Sequence, residues 1–161
     1  MNLCSVRPSR AVLLGMALFA SLVLASHPAA AALGGTVDSV SADAGAMRGE
    51  LHSTGFVNYD VHQIVSGQII VNEYATRAGQ VFAVTWHGPA PANLQQLLGT
   101  YFPRFQAAAV AAHQSQPGIH RVFTLSESDL VIRAAGRMRA FGGIAYLPSL
   151  IPSGVSVDEL Q

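Results

Sequence analysis

The sequence predicts an α+β fold: an antiparallel β-meander and a C-terminal hairpin, with a long helix packed on one sheet face. Three observations predict it. Apolar residues alternate at period two between Phe56 and Trp86, with turn residues interrupting them twice. A stripe of large apolar residues at helical spacing follows, from Leu94 to Phe105. Beyond it, two apolar runs flank Ala135-Gly136. A small β-sandwich or barrel with one helix is the alternative that the same pattern allows.

The meander is read as strands over Phe56 to Val65, Ile69 to Thr76 and Val81 to Trp86. Ser66-Gly67 and Arg77-Ala78-Gly79 supply its turns, with Gly79 in the left-handed position and Thr76 opposite Gln80. Carried along the strands, that register sets Tyr74 beside Phe82 and Ile70 beside Trp86. Val61 then falls opposite Tyr74 and Val65 opposite Ile70. Val57, Tyr59, Val61, Val65, Ile70, Tyr74, Phe82, Val84 and Trp86 form a single apolar face. Such a face needs a cover.

The stripe Leu94, Leu97, Leu98, Tyr101, Phe102 and Phe105 is the expected cover. Asn93 caps its first turn, and Gln96 three residues later completes a capping box. Pro103 falls inside the pattern and predicts a kink or break. An alanine-rich continuation, Ala107 to Ala112, leads to a polar loop broken by Pro117-Gly118. Upstream, Val37, Val40, Ala44, Met47 and Leu51 predict a helix over Thr36 to Arg48, weakened at Gly45 by about 1 kcal/mol. The second hairpin comprises Leu130 to Ala134 and Arg137 to Leu147, with Gly142-Gly143 marking a bulge or a close backbone approach.

Residues 1–32 read as a cleavable signal peptide. Arg7 and Arg10 precede the apolar run Ala11 to Leu24, and Ala30-Ala31-Ala32 offers a small-residue cleavage site. The run is shorter than the roughly 20 residues a membrane span needs. Cleavage leaves residues 33–161 as a single exported domain, periplasmic or extracellular, with no membrane span. The mature chain has seven arginines, no lysine and nine acidic residues. That slightly acidic balance argues against nucleic acid as a partner. Its one cysteine, Cys4, leaves with the signal, so disulfides and thiol chemistry are excluded.

Two groups of residues are candidates for function. The meander register sets His62 opposite Glu73, with Asp60 and Thr85 on the same polar face. A histidine oriented by a carboxylate is the beginning of acid–base machinery, and this pair is the catalytic candidate for a small hydrolase. Arg133, Arg137 and Arg139 surround the second hairpin. Their guanidinium groups can grip carboxylate or phosphate, and they are the binding candidates. Another envelope protein or an anionic envelope polymer is the partner they suit. The histidines show no metal-ligand spacing, and no serine occurs in a nucleophile-elbow setting, so no metal or cofactor is expected.

Several blocks have a familiar order. They are Leu33-Gly34-Gly35, Val84-Thr85-Trp86-His87-Gly88-Pro89, Leu97-Leu98-Gly99-Thr100-Tyr101-Phe102, Met138 through Pro148, and Pro152-Ser153-Gly154-Val155. Together they resemble the bacterial secreted family DUF2844, a domain of unknown function, over nearly the whole mature chain. The resemblance implies a small protein exported by Gram-negative bacteria and brings no activity, ligand or catalytic residue. An exported, non-catalytic binding or assembly module is the expected function.

Overall fold

The computed structural model describes residues 33–115 and 122–160. The expected signal peptide and the Pro117-Gly118 break lie outside them. The described residues form the expected α+β fold, built on one open antiparallel sheet of seven strands rather than the five expected. The strands are β1 (Glu50–Gly55), β2 (Tyr59–Ser66), β3 (Ile69–Thr76), β4 (Val81–Gly88), β5 (Val122–Ser126), β6 (Val131–Arg137) and β7 (Ala140–Tyr146). Their order is β1-β2-β3-β4-β7-β6-β5. Two meanders thus meet where β4 pairs with β7.

The strands missed by periodicity are the two edges. The expected first strand begins at Tyr59, and Phe56 belongs to the turn before it. Leu51, read as the last member of a helical pattern, lies on β1. The rest of that pattern forms α1 (Val37–Met47), which ends at Arg48 with a left-handed φ of 51°. Gly45 is tolerated because its Cα faces open space.

The first hairpin has the expected register, with Val61 opposite Tyr74, His62 opposite Glu73 and Val65 opposite Ile70. The second departs from it by one residue. Gly79 takes the left-handed conformation, and Thr76 bonds Gln80 as expected. A bulge at Phe82 then intervenes: Ala75 pairs with Val81, but Tyr74 pairs with Ala83. One inserted residue flips every later side chain. Ile70 therefore meets His87 rather than Trp86, and Val71 meets Trp86.

In consequence the single apolar face splits into two. Ile64, Val71, Val81, Val84 and Trp86 lie on one side with Val40 and Ala44 of α1 and Leu97 and Leu98 of α2 (Leu94–Leu98). Tyr59, Val61, Tyr74, Phe82 and Ala83 lie on the other, where no α-helix of the described residues covers them. That face is closed by the C-terminal segment, through Leu150, Ile151, Val155, Val157 and Leu160.

Asn93 caps α2 as expected, its side chain accepting from the Gln96 N–H at 3.3 Å. The helix does not break at Pro103. It breaks at Gly99, whose φ of 50° and ψ of −119° no other residue adopts readily. A 3₁₀ turn, Gly99–Tyr101, leads into α3 (Phe102–Ser115). Pro103 is the second residue of α3, where the missing N–H has no helical partner to lose. No residue of α3 is buried. It leans on the β5 end of the sheet, with the Phe105 and Phe123 rings edge to face at 5.2 Å. Arg104 fixes its start, donating to both oxygens of Asp129 at 2.8 Å and also to Glu127.

The second hairpin turns at Met138-Arg139 instead of Ala135-Gly136, which lie within β6. Gly143 marks the expected close approach. A Cβ there would stand 2.5 Å from the Arg133 carbonyl and 2.5 Å from the Trp86 ring.

Candidate functional site

The catalytic candidate His62/Glu73 is a cross-strand pair, as predicted, but its surroundings are not a polar sheet face. Both residues point to the side that α1 and α2 cover. Thr85, expected beside them, pairs with Asn72 on the opposite side. The shift at Phe82 brings Val84, not Thr85, next to Glu73. Glu73 has no exposed surface, and Asp43 of α1 is 3 % exposed above it.

The pair extends into a row. Ser53 of β1 lies opposite His62, and its Oγ is 2.8 Å from His62 Nδ1. His62 Nε2 is buried and has no hydrogen-bond partner among the described residues. On the far side of Glu73, Asp43 Oδ1 accepts from Gln96 Nε2 at 2.6 Å. The Gln96 side chain, expected to reach back to the start of its helix, is thus spent on α1.

Two carboxyl groups without a cation demand a proton. As anions, neither oxygen of Glu73 has a donor. Burial pushes the Glu73 carboxyl up to about 8; the neighbouring Asp43 charge adds to this, as does the hydrogen bond to Asp43. Protonated Glu73 donates that bond. Burial also raises the Asp43 carboxyl, opposed by its hydrogen bonds to Gln96 and Glu73. The arrangement stores a proton between helix and sheet.

The binding candidates occupy the opposite side of the sheet, at its far end. Arg133, Ala135 and Arg137 alternate along β6 on the face the C-terminal segment leaves open, and all three are exposed. Arg139 does not share this face. It sits in the hairpin turn with a φ of 58°. Arg77 pairs with Asp60, and Arg104 with Glu127 and Asp129. Arg133, Arg137 and Arg139 have no acidic partner among the described residues. Arg137 borders a cleft of about 440 Å³ lined also by Val122, Ala135, Ala140, Phe141 and Gly142. Small residues on β6 and β7, Ala135, Gly136, Ala140 and Gly142, make that hollow. A second cleft of about 430 Å³ lies across β5, between its Phe123 and the Phe105, Ala109 and Ala112 face of α3.

A further feature had no sequence signal. Gln63, Asn72, Thr85 and Tyr74 form a hydrogen-bonded ladder across β2, β3 and β4, with Gln63 Nε2 donating to Asn72 Oδ1 at 3.0 Å and Asn72 Nδ2 to Thr85 Oγ1 at 3.3 Å. It lines a shallow cleft of about 230 Å³ with His52, Phe56, Tyr59 and Glu159. Its members come from three strands, Asn72 and Tyr74 both from β3, so only the register reveals it. Among the described residues, no group of three histidine or acidic side chains is arranged to hold a metal, and no helix is long and apolar enough to cross a membrane.

A family model described as a protein of unknown function, DUF2844, matches residues 29–160, in agreement with the resemblance of the sequence blocks. Comparisons with curated proteins and with solved structures return no match.

Proposed function

The chain belongs to the DUF2844 family, and we propose that this member is an exported, non-catalytic binding or assembly module. Its ligand surface is the open sheet face around Arg133 and Arg137. One observation carries the reading: Arg137 stands exposed at a hollow floored by Ala135, Ala140 and Gly142, Arg133 is exposed on the same face of β6, and neither has an acidic partner among the described residues. An exposed cation without an intramolecular partner is free to bind carboxylate or phosphate bidentately. Arg139, in the adjacent turn, adds to the positive field. A carboxylate- or phosphate-bearing envelope partner fits this chemistry, and export rests on the signal-like residues 1–32.

The test is titration of the mature chain with polyglutamate and with inorganic polyphosphate at low and at 0.5 M salt. Saturable, salt-sensitive binding lost in Arg133→Glu/Arg137→Glu supports the reading. Binding unchanged in that variant, or none to either polyanion, refutes it.

A second reading, a small hydrolase using His62 and Glu73, is favoured by the 2.8 Å contact of Ser53 Oγ with His62 Nδ1. Hydroxyl, imidazole and carboxyl then stand on three neighbouring strands. Glu73 lies sealed beneath α1, however, and the clefts of the distal hairpin do not reach it. The reading requires turnover of an activated ester that disappears in Ser53→Ala and in His62→Gln. Equal rates in all three proteins dispose of it.

A further inference from the structure

The edge strand β5 differs from the opposite edge in a way that bears on binding. Sheet edges of soluble proteins are commonly guarded by charge, proline or a bulge, because their unpaired amides and carbonyls accept any extended chain. At the other edge β1 carries Glu50 and His52, 3.6 Å apart. β5, Val122-Phe123-Thr124-Leu125-Ser126, has no charged residue and no proline, and its register with β6 runs without a bulge. Among the described residues no strand lies beside its outer side. Val122 at its head is 66 % exposed.

The surroundings of β5 fit an added strand. Phe123 and Leu125 face α3, whereas Val122, Thr124 and Ser126 face the side of Arg133 and Arg137. A cleft opens on each side of the strand head. The one under α3 is walled by Phe105, Ala109, Ala112 and Phe123, with His113 and Ser115 at its rim, and the one on the other face runs from Val122 to Arg137. Successive side chains of an extended peptide point to opposite faces. A peptide lying along β5 therefore sends alternate side chains into the cleft beside Phe105 and Phe123 and toward the arginines.

We infer that β5 is a strand-addition site for an extended peptide segment of a partner protein, with apolar residues alternating with aspartate or glutamate. Main-chain hydrogen bonds to the edge supply affinity, and the two clefts read the alternation. Charge complementarity selects this occupant over a second copy of the chain. A β5 strand from another copy presents only Val122, Thr124 and Ser126 toward Arg133 and Arg137, and no acidic group. This inference rests on the proposed binding function and specifies its ligand.

The experiment uses the mature chain and three fluorescein-labelled octapeptides: alternating Asp and Val, alternating Lys and Val, and the Asp–Val peptide with every second amide N-methylated so that one edge cannot pair. Anisotropy is read for the wild type and for Arg133→Glu/Arg137→Glu. The expected result is saturable binding of the Asp–Val peptide, weakened at least tenfold by N-methylation, by the lysine replacement and by the charge-reversed protein. Equal binding of the N-methylated peptide overturns strand addition while leaving an anion-binding surface. Binding of polyphosphate without any peptide does the same. Failure of peptides and polyanions alike removes both readings. Sedimentation velocity is run in parallel. A wild-type dimer that Thr124→Lys converts to monomer assigns the edge to a second copy and overturns the peptide assignment.

Discussion

Asp43 on α1 and Glu73 on β3 face each other as two buried carboxyl groups, and Gln96 on α2 donates to Asp43 from the third side. The contact joins α1, β3 and α2 in a polar seam set within their otherwise largely apolar packing, and so helps fix how the helices sit on the sheet.

That seam makes stability depend on pH with a definite sign. Glu73 titrates near 8 in the fold against an ordinary 4.5. Below pH 4.5 the carboxyl is protonated in folded and unfolded chains alike, and its burial carries no ionisation cost. Between 4.5 and 8 the unfolded chain has released a proton that the fold retains, so stability falls as pH rises. Above 8 the loss levels off. Each tenfold change in proton affinity is worth about 1.4 kcal/mol. The groups facing Glu73 are Asp43 from α1 and His62 from β2, while β4 contributes only Val84. Glu73→Gln keeps a donor for Asp43 without the titration. It is expected to stabilise by a few kcal/mol at pH 8 and to change little at pH 4. Urea midpoints at both pH values measure this, and equal shifts at the two would contradict it.

Two glycines test the packing in opposite directions. At Gly143 a methyl group meets the Arg133 carbonyl and the Trp86 ring, both at 2.5 Å. Gly143→Ala is expected to cost about 1–3 kcal/mol, the usual penalty of overpacking, and to alter the fluorescence of Trp86, the one tryptophan of the chain. Gly45 in α1 has nothing within 4 Å of the added methyl. Gly45→Ala is expected to stabilise by about 0.5–1 kcal/mol through the unfolded state and helix propensity. Thermal unfolding of both variants decides the matter, and a neutral Gly143→Ala would refute the close approach.

The parts of the fold legible in sequence are those where one local signal dominates. Asn93 announces α2, Gly79 the β3–β4 turn, and the alternation in β2 and β3 their mutual register. What escaped needs knowledge of two segments at once. The bulge at Phe82 has no residue signature, yet it moves Val84 and Trp86 to the other face and puts Glu73 under a helix. β1 has a single large apolar residue, Leu51, because it is an exposed edge, so alternation could not reveal it. Val122 to Leu125 is too short a run to count as a strand until β6 lies beside it. The His62/Glu73 pairing was readable from the first hairpin alone. Its burial was not, because Asp43 and Gln96 arrive from other elements. For the arginines, spacing revealed the group, but the turn position decided that Arg139 leaves the face of Arg137.

The C-terminal segment supplies the last test. It has no strand or α-helix, and its two prolines, Pro148 and Pro152, with Gly154 interrupt any continuous element. Yet Leu160 is 4 % exposed and packs with Tyr74, Phe82, Ala83, Val131 and Tyr146 on the sheet face without helices. Phe82 is itself fully buried, and its ring lies 6.3 Å from that of Tyr74 and 6.1 Å from that of Tyr59. An apolar face of this size cannot stay open to water without inviting association. The segment is therefore part of the core, and Leu160 carries core energetics. Leu160→Ala is expected to destabilise by about 2–5 kcal/mol, as a buried leucine does. Val110→Ala, at a position 51 % exposed on α3, is expected to stay within about 0.5 kcal/mol. Urea unfolding gives both values, and dye binding by the folded Leu160→Ala protein reports whether the tail has lifted. A cost below about 1 kcal/mol for Leu160→Ala would mean that the face closes by other contacts and that the tail is dispensable.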